Sequence, residues 1–258
     1  MSEPARLRSR LGLAVGSVAA AFVLVLPACH QAEQIREQAL AHSRAVSFES
    51  IDGLRLDGRI FGPEGATAGI VLAHMKPSDQ SSWFDFADQL GELGYRALTF
   101  DFRGYCPGGD AGCSEGERDI SAIWQDVASA ARFLRTEGVR RVGLVGASMG
   151  GTASLVYASQ SGADIEAVVT LSAPDAIEGL TAGPEVLQTV EAAKLFLAGN
   201  VDGNAAATAQ TFYDETLQPK RVEILTTADH GTDILDGNQA EVARNLIVGW
   251  LGQHVPVA

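Results

Sequence analysis

The sequence predicts an α/β domain with a mostly parallel sheet, helices on its faces and an antiparallel hairpin at its N-terminal end. Three observations carry that expectation. Short, nearly uninterrupted apolar runs recur from residue 68 onward, as strands covered on both faces must read. Stretches of helical length separate them, and in one of these Ile123, Val127, Ala130, Ala131 and Leu134 fall near a 3.6-residue spacing. Ahead of both, apolar alternation on either side of Asp52-Gly53 marks a tight turn between antiparallel strands. Strands alternating with helices imply right-handed crossovers and a mostly parallel sheet.

Taken in order, the chain opens with Arg6, Arg8 and Arg10, then an uncharged apolar run from Leu11 to Leu26, then "LPAC". These match the basic, apolar and small-residue sections of an export signal, and the run is short for a membrane span. "LPAC", ending at Cys29, resembles the lipobox of bacterial lipoproteins, which implies that Cys29 becomes the lipidated first residue; the alternative is an uncleaved anchor helix. Residues 1–28 are therefore expected to be an export or lipoprotein signal, 29–44 a polar tether, and 45–258 one domain. On either reading the domain lies outside the cytoplasm, membrane-anchored or secreted.

Within the domain, "AVSFES" and "LRLDGRIF" form the expected hairpin. The parallel strands follow as residues 68–75, 95–104, 140–148, 165–174, 193–200 and 220–228. Helices are expected at 82–93, 120–137, 149–161, 204–216 and 234–251. With 46% hydrophobic and 20% charged residues, the composition fits a globular domain with a sizeable core. The net charge is −13 and there is no basic cluster beyond the first ten residues, which argues against nucleic acid as a partner. Cys106 and Cys113 lie seven positions apart in the glycine-rich "GYCPGGDAGCSEG" and are expected to pair in an oxidising compartment. A metal site there would need further ligands, and no other His or Cys is near.

The segment "VGLVGASMGG", residues 142–151, closes an apolar run with glycines around Ser148. GxSxG at a strand-to-helix turn is the setting of a nucleophilic serine, whereas the pattern alone arises by chance about 0.2 times in a chain of this composition. A serine hydroxyl needs a base to take its proton. Of five histidines, His30 and His42 fall in the tether, His254 lies past the last helix and His74 ends a strand. His230 follows the final strand, at the edge where α/β sheets place their chemistry. The orienting carboxylate is expected to be Asp202, giving the order Ser148, Asp202, His230; Asp175 competes, and Asp229 is adjacent to the histidine.

With "GASMGG", "LAGNVDG" and "ADHG" in this order and "LAHM" upstream, residues 46–252 resemble the α/β-hydrolase superfamily, closest to its small dienelactone-hydrolase-like and esterase-like branch. That branch often has a cysteine nucleophile; serine at 148 favours ordinary ester hydrolysis. The resemblance implies an oxyanion hole from the amides of Met149 and of Lys76, with Met75 the alternative to Lys76. Many relatives carry glycine where this chain has Met75.

The expected function is cleavage of a small carboxylic ester through an acyl-enzyme, without metal or organic cofactor. Thioesterase, peptidase and acyltransferase chemistry share the same motifs, and a surface-tethered binding protein that kept the fold is the non-catalytic alternative. Only about twenty residues separate the strand at 165–174 from the next, so a large helical lid is not expected. Trp83, Phe84 and Phe86 are either acyl-pocket residues or the buried face of the first helix, and Lys76 either meets a substrate carboxylate or is solvated.

Overall fold

A computed structural model describes Met1 and residues 28–257, with side chains from Gln34 onward. The expected export signal and the side chain of Cys29 lie outside the described residues. Among the described residues no helix is long and apolar enough to cross a membrane.

The segment expected to be a tether forms α1 (Ala28–Ala41). The hairpin follows as β1 (Ser43–Glu49) and β2 (Arg55–Phe61), antiparallel, with Val46 facing Gly58. Its turn is held to the body through Arg103, which binds Asp52 at 2.8 Å and the buried Asp126. The chain continues through β3 (Ala68–Ala73), α2 (Phe84–Glu92), β4 (Arg96–Phe100), α3 (Ile123–Thr136), β5 (Arg141–Ala147), α4 (Met149–Ala158) and β6 (Ala167–Leu171). Next come two-residue strands β7 (Ala176–Ile177) and β8 (Leu180–Thr181) and the single-turn α5 (Pro184–Leu187). Then β9 (Ala193–Gly199), α6 (Ala205–Glu215), β10 (Lys220–Leu225) and α7 (Ala240–His254) complete the fold.

Eight strands form one sheet in the order β1-β2-β4-β3-β5-β6-β9-β10, antiparallel as far as β4 and parallel beyond it. Every residue of β3, β4, β6 and β9 is buried, because the sheet is covered on both faces. Val71, Ala73, Leu98 and Phe100 join a core with α3, α4 and α6; Ile70, Leu72 and Ala97 turn to the other face, among residues of α1, α2 and α7. The period-two alternation of strands thus supplies two cores at once. On α3, Ile123, Val127 and Leu134 are fully buried at the helical spacing, each contributing about 1.5–3 kcal/mol by transfer from water.

The C-terminal helix begins later than residue 234. Residues Gly231–Leu235 form a 3₁₀ turn instead, and the chain breaks at Asp236-Gly237 before Ala240. A Cβ at Gly237 would collide with the Asp229 carboxylate, so the apolar pair Ile234 and Leu235 is buried by a turn and not by a helix face.

Registers fix where chemistry can gather. Ala73 lies opposite Gly146, Ala147 opposite Leu171, Leu171 opposite Leu197, and Gly199 opposite Leu225. The carboxyl ends of β3, β5, β6, β9 and β10 therefore form one rim, the edge at which open α/β sheets place ligands.

Candidate active site

At the rim, β5 passes into α4 through Ser148, whose backbone sits at φ 48°, ψ −120°. That positive φ is uncommon for a residue with a side chain and stores about 1–3 kcal/mol of strain. Neighbouring contacts hold it. The Ser148 N–H donates to the Leu171 carbonyl at 2.8 Å, and its own carbonyl accepts from the Gly151 and Thr152 amides. The flanking glycines are required by close approach: a Cβ on Gly146 would run into the Gly150 carbonyl, and one on Gly150 into the carbonyls of Ala73 and His74. Only without those side chains does α4 descend onto the strands and present residue 148 at the turn.

His230 and Asp202 meet at the same rim, from the ends of two other strands. Asp202 follows β9 and His230 follows β10, and the intervening loops are tied by Asn200 N–H to the Leu225 carbonyl and Val201 N–H to that of Thr227. The Nδ1 of His230 lies 2.8 Å from Asp202 Oδ2 and 3.0 Å from Oδ1. A carboxylate only accepts, so Nδ1 carries the proton and Nε2 is the free basic nitrogen. Gly231, next in the chain, packs against Ala147 and the Met75 thioether and takes φ 58°; a Cβ there would lie 3.3 Å from that of Ala147. The imidazole loop thus abuts the serine turn. Among the described residues the Ser148 hydroxyl has no hydrogen-bond partner, a loose geometry usual for such sites without substrate.

The rival carboxylates point elsewhere. Asp175 is exposed and accepts from the Ala176 amide, and Asp229 accepts from the Thr227 hydroxyl at 2.6 Å.

Of the two expected oxyanion donors, the Met149 amide is the first of α4 and has no backbone acceptor among the described residues, as helix geometry dictates. The second lies in the loop after β3, which is anchored from below by two buried side chains. His74 lies within hydrogen-bond reach of the Met75 carbonyl through Nδ1 at 2.9 Å and accepts the Phe102 amide on Nε2 at 3.2 Å, so it is neutral; complete burial holds its pKa down to about 4. Gln80 donates its backbone and side-chain N–H groups to Asp101 at 2.9 and 2.7 Å and accepts from the Thr99 hydroxyl. Burial pushes Asp101 up to about 7. Neither Gln80 nor Asp101 stands out in the sequence, because their pairing spans two loops and depends on the fold. Lys76 carries an exposed ammonium paired with Glu178, a partner that holds it above its ordinary range, and is joined to Pro77 by a cis peptide bond.

Trp83, Phe84 and Phe86 are at most 1% exposed and sit in the core beneath α2, so they offer no surface to an acyl group. Cys106 and Cys113 are joined as a disulfide. A crevice of about 580 Å³, bordered by Ser159, Asp164, Glu166 and Glu191, lies at the opposite edge of the sheet from Ser148. Among the described residues no cluster of three His, Cys, Asp or Glu side chains is arranged to hold a metal ion.

The sequence model of the alpha/beta hydrolase fold family matches residues 70–246. No curated protein is significantly similar to the chain in sequence. Among solved structures, a dienelactone hydrolase from Anabaena variabilis is similar at TM-score 0.68 and 22% identity, covering 83% of this chain and 98% of that one. An esterase from Pyrococcus furiosus gives TM-score 0.70 at 17% identity, covering 84% and 93% of the two chains. The esterase domain of a Rhodothermus marinus protein gives 0.63 at 22%, covering 83% and 99%.

Proposed function

The chain belongs to the alpha/beta hydrolase fold family, and from that premise we propose that it is a serine hydrolase that cleaves a small carboxylic ester through an acyl-enzyme. The observation that carries this reading is the His230 Nδ1 to Asp202 hydrogen bond of 2.8 Å, which leaves Nε2 basic on a loop that abuts the strained serine turn. Names of the similar structures, dienelactone hydrolase and esterase, lend support.

The mechanism follows from the donor and acceptor inventory. His230 Nε2 takes the Ser148 proton as Oγ attacks the ester carbonyl, and Asp202 stabilises the resulting imidazolium. The carbonyl oxygen becomes an oxyanion, met by the Met149 amide and by an amide of the Met75-Lys76 loop. The imidazolium then protonates the departing alcohol, and a water activated by the same nitrogen releases the acid. Neither step calls for a metal or an organic cofactor.

Replacing Ser148→Ala should lower turnover of p-nitrophenyl acetate by about 10⁴-fold or more, with circular dichroism and thermal melting unchanged. A fluorophosphonate probe should label the wild type and not the variant. Retention of most of the rate by the variant would remove the mechanism, and absence of labelling in the wild type would favour a binding protein.

The same reading places the domain outside the cytoplasm, held to a membrane through Cys29. It is supported by the basic-apolar-LPAC sequence at the N-terminus and by a disulfide of the kind oxidising compartments preserve.

A further inference from the structure

Between β4 and α3 the chain makes a detour from Cys106 to Cys113, closed by the disulfide between them. Its stem is paired like a hairpin. The Gly104 amide donates to the Glu115 carbonyl at 2.9 Å, the Ser114 amide to the Tyr105 carbonyl at 3.0 Å and, beyond the disulfide, the Gly108 amide to the Gly112 carbonyl at 3.0 Å. The two limbs are held differently. The second is tied to β2, with the Cys113 amide donating to the Asp57 carboxylate at 3.1 Å and the Asp57 amide to the Ser114 hydroxyl at 3.0 Å. Residues 106–109 of the first limb make no hydrogen bond to the body among the described residues, and Gly108, Gly109 and Gly112 take φ of 80°, 57° and 83°. Glycines give up the most backbone freedom on ordering, so the covalent bond is what holds this limb against the other.

The detour touches both ends of the loop after β3. The segment from Met75 to Asp79 is suspended between His74 and Gln80. Tyr105, next to Cys106, sets its ring edge-on to that of His74 with 4.6 Å between centres, and its hydroxyl lies 3.7 Å from the Met149 sulfur. At the other end the buried Ala111 presents its carbonyl to Gln80 Nε2, whose further partners are the Asp101 carboxylate at 2.7 Å and the Asp57 carbonyl at 3.3 Å. The Gln80 carboxamide is thereby gripped from the end of β4, from β2 and from the disulfide loop.

We propose that Gln80 is a positioning residue for the segment carrying the proposed second oxyanion donor, and that the Cys106–Cys113 bond sets its grip, so that ester turnover is fast with the disulfide closed and slow with it open. This deepens, and rests on, the ester-hydrolase reading above. Opening takes two electrons and two protons from a dithiol: the S–S bond breaks, two cysteine thiols form, and the dithiol closes to its own cyclic disulfide. Cys106 is exposed, so a small dithiol reaches the bond. Once it is open the first limb swings free, the Ala111 carbonyl leaves Gln80, and the amide of the Met75-Lys76 loop is no longer fixed against the nascent oxyanion. Such donors act through being fixed beforehand, and a misplacement of about 1 Å costs up to about 100-fold in rate. A chain still among reducing thiols is therefore slow, and oxidation brings it to full rate.

The test is hydrolysis of p-nitrophenyl acetate by the full chain before and after treatment with dithiothreitol and desalting under argon, with opening of the bond read from iodoacetamide mass tagging. Reduction should lower kcat by about tenfold with KM nearly unchanged, and reoxidation should restore it. Cys106→Ser combined with Cys113→Ser should match the reduced protein and ignore dithiothreitol. In Gln80→Met, similar in length and without the carboxamide, kcat should already be low and reduction should change it little, since both changes act through one contact. A measurable kcat that is equal in both redox states overturns the brace. So does a reduction effect that persists at full size in Gln80→Met, or loss of the native circular dichroism spectrum on reduction, which would make the bond a support of the whole fold. Hydrogen exchange reads the loop without turnover: amides of residues 75–81 should exchange faster once the bond is open, and those of β5 and β6 at the same rate as before. Faster exchange with no ester cleaved in either state keeps the brace and drops the ester-hydrolase reading; unchanged exchange overturns the brace.

Discussion

His74 and Asp101, 3.9 Å apart in the interior, set two titrations against each other. Burial holds His74 down to about 4 from an ordinary 6.5, so between those values the unfolded chain binds a proton that the folded one refuses. That contribution to stability is complete above pH 6.5 and is lost as pH falls. Burial pushes Asp101 up from 3.8 to about 7; over the same window the folded chain keeps a proton that the unfolded one has released, and its contribution runs the opposite way. Together the pair leaves stability nearly independent of pH from 4 to 6.5. Asp101→Asn removes the second half. Its unfolding free energy, from urea titrations, should therefore drop relative to wild type between pH 6.5 and pH 4, by on the order of 3 kcal/mol. Parallel pH profiles for the two proteins would show that burial does not raise the Asp101 carboxyl above its ordinary range.

Among elements, the junction of β5 with α4 is the least tolerant of change. Gly150→Ala would press a methyl group into the Ala73 and His74 carbonyls, forcing the helix start away from the loop after β3. Overpacking of this kind costs about 1–3 kcal/mol, which lowers the melting temperature by about 2–4 °C per kcal/mol at this size. On the proposed mechanism ester turnover should fall further than stability, since the amides proposed as oxyanion donors flank the strained contact; an unchanged kcat in a destabilised variant would detach the junction from the chemistry. This junction was readable in the sequence, as were the parallel strands, because a strand covered on both faces has to be apolar throughout and a close crossing has to be glycine. Elements whose shape depends on a distant partner were not. Nothing local announces that β7 and β8 are two residues each, or that Gly237 must yield to the Asp229 carboxylate and delay α7. The buried Gln80–Asp101 pair is invisible for the same reason, as its members lie 21 positions apart. Asp202 was singled out by strand order alone, not by a pattern of neighbours, and it lies 2.8 Å from His230 Nδ1.

For the whole molecule, α1 does more than extend the chain. Ala39 is buried against the body, Arg36 lies over the Phe84 ring, and His42 meets Asp88 at 3.0 Å, so the segment leading back to Cys29 leaves from the α2 face and not from the rim of strand carboxyl ends. Cys29→Ser should move the protein from the membrane to the soluble fraction of fractionated cells, with esterase activity following it; retention in the membrane would point to an uncleaved N-terminal helix. The rim meanwhile stays bordered, between β6 and β9, by one four-residue hairpin turn and a single turn of helix. Enzymes that must peel back a large cover work faster once their substrate forms droplets, because an oil–water boundary stabilises the uncovered state. Among the described residues no cover of that size spans the rim, so hydrolysis of tributyrin should climb smoothly through its solubility limit, with no jump when the emulsion appears.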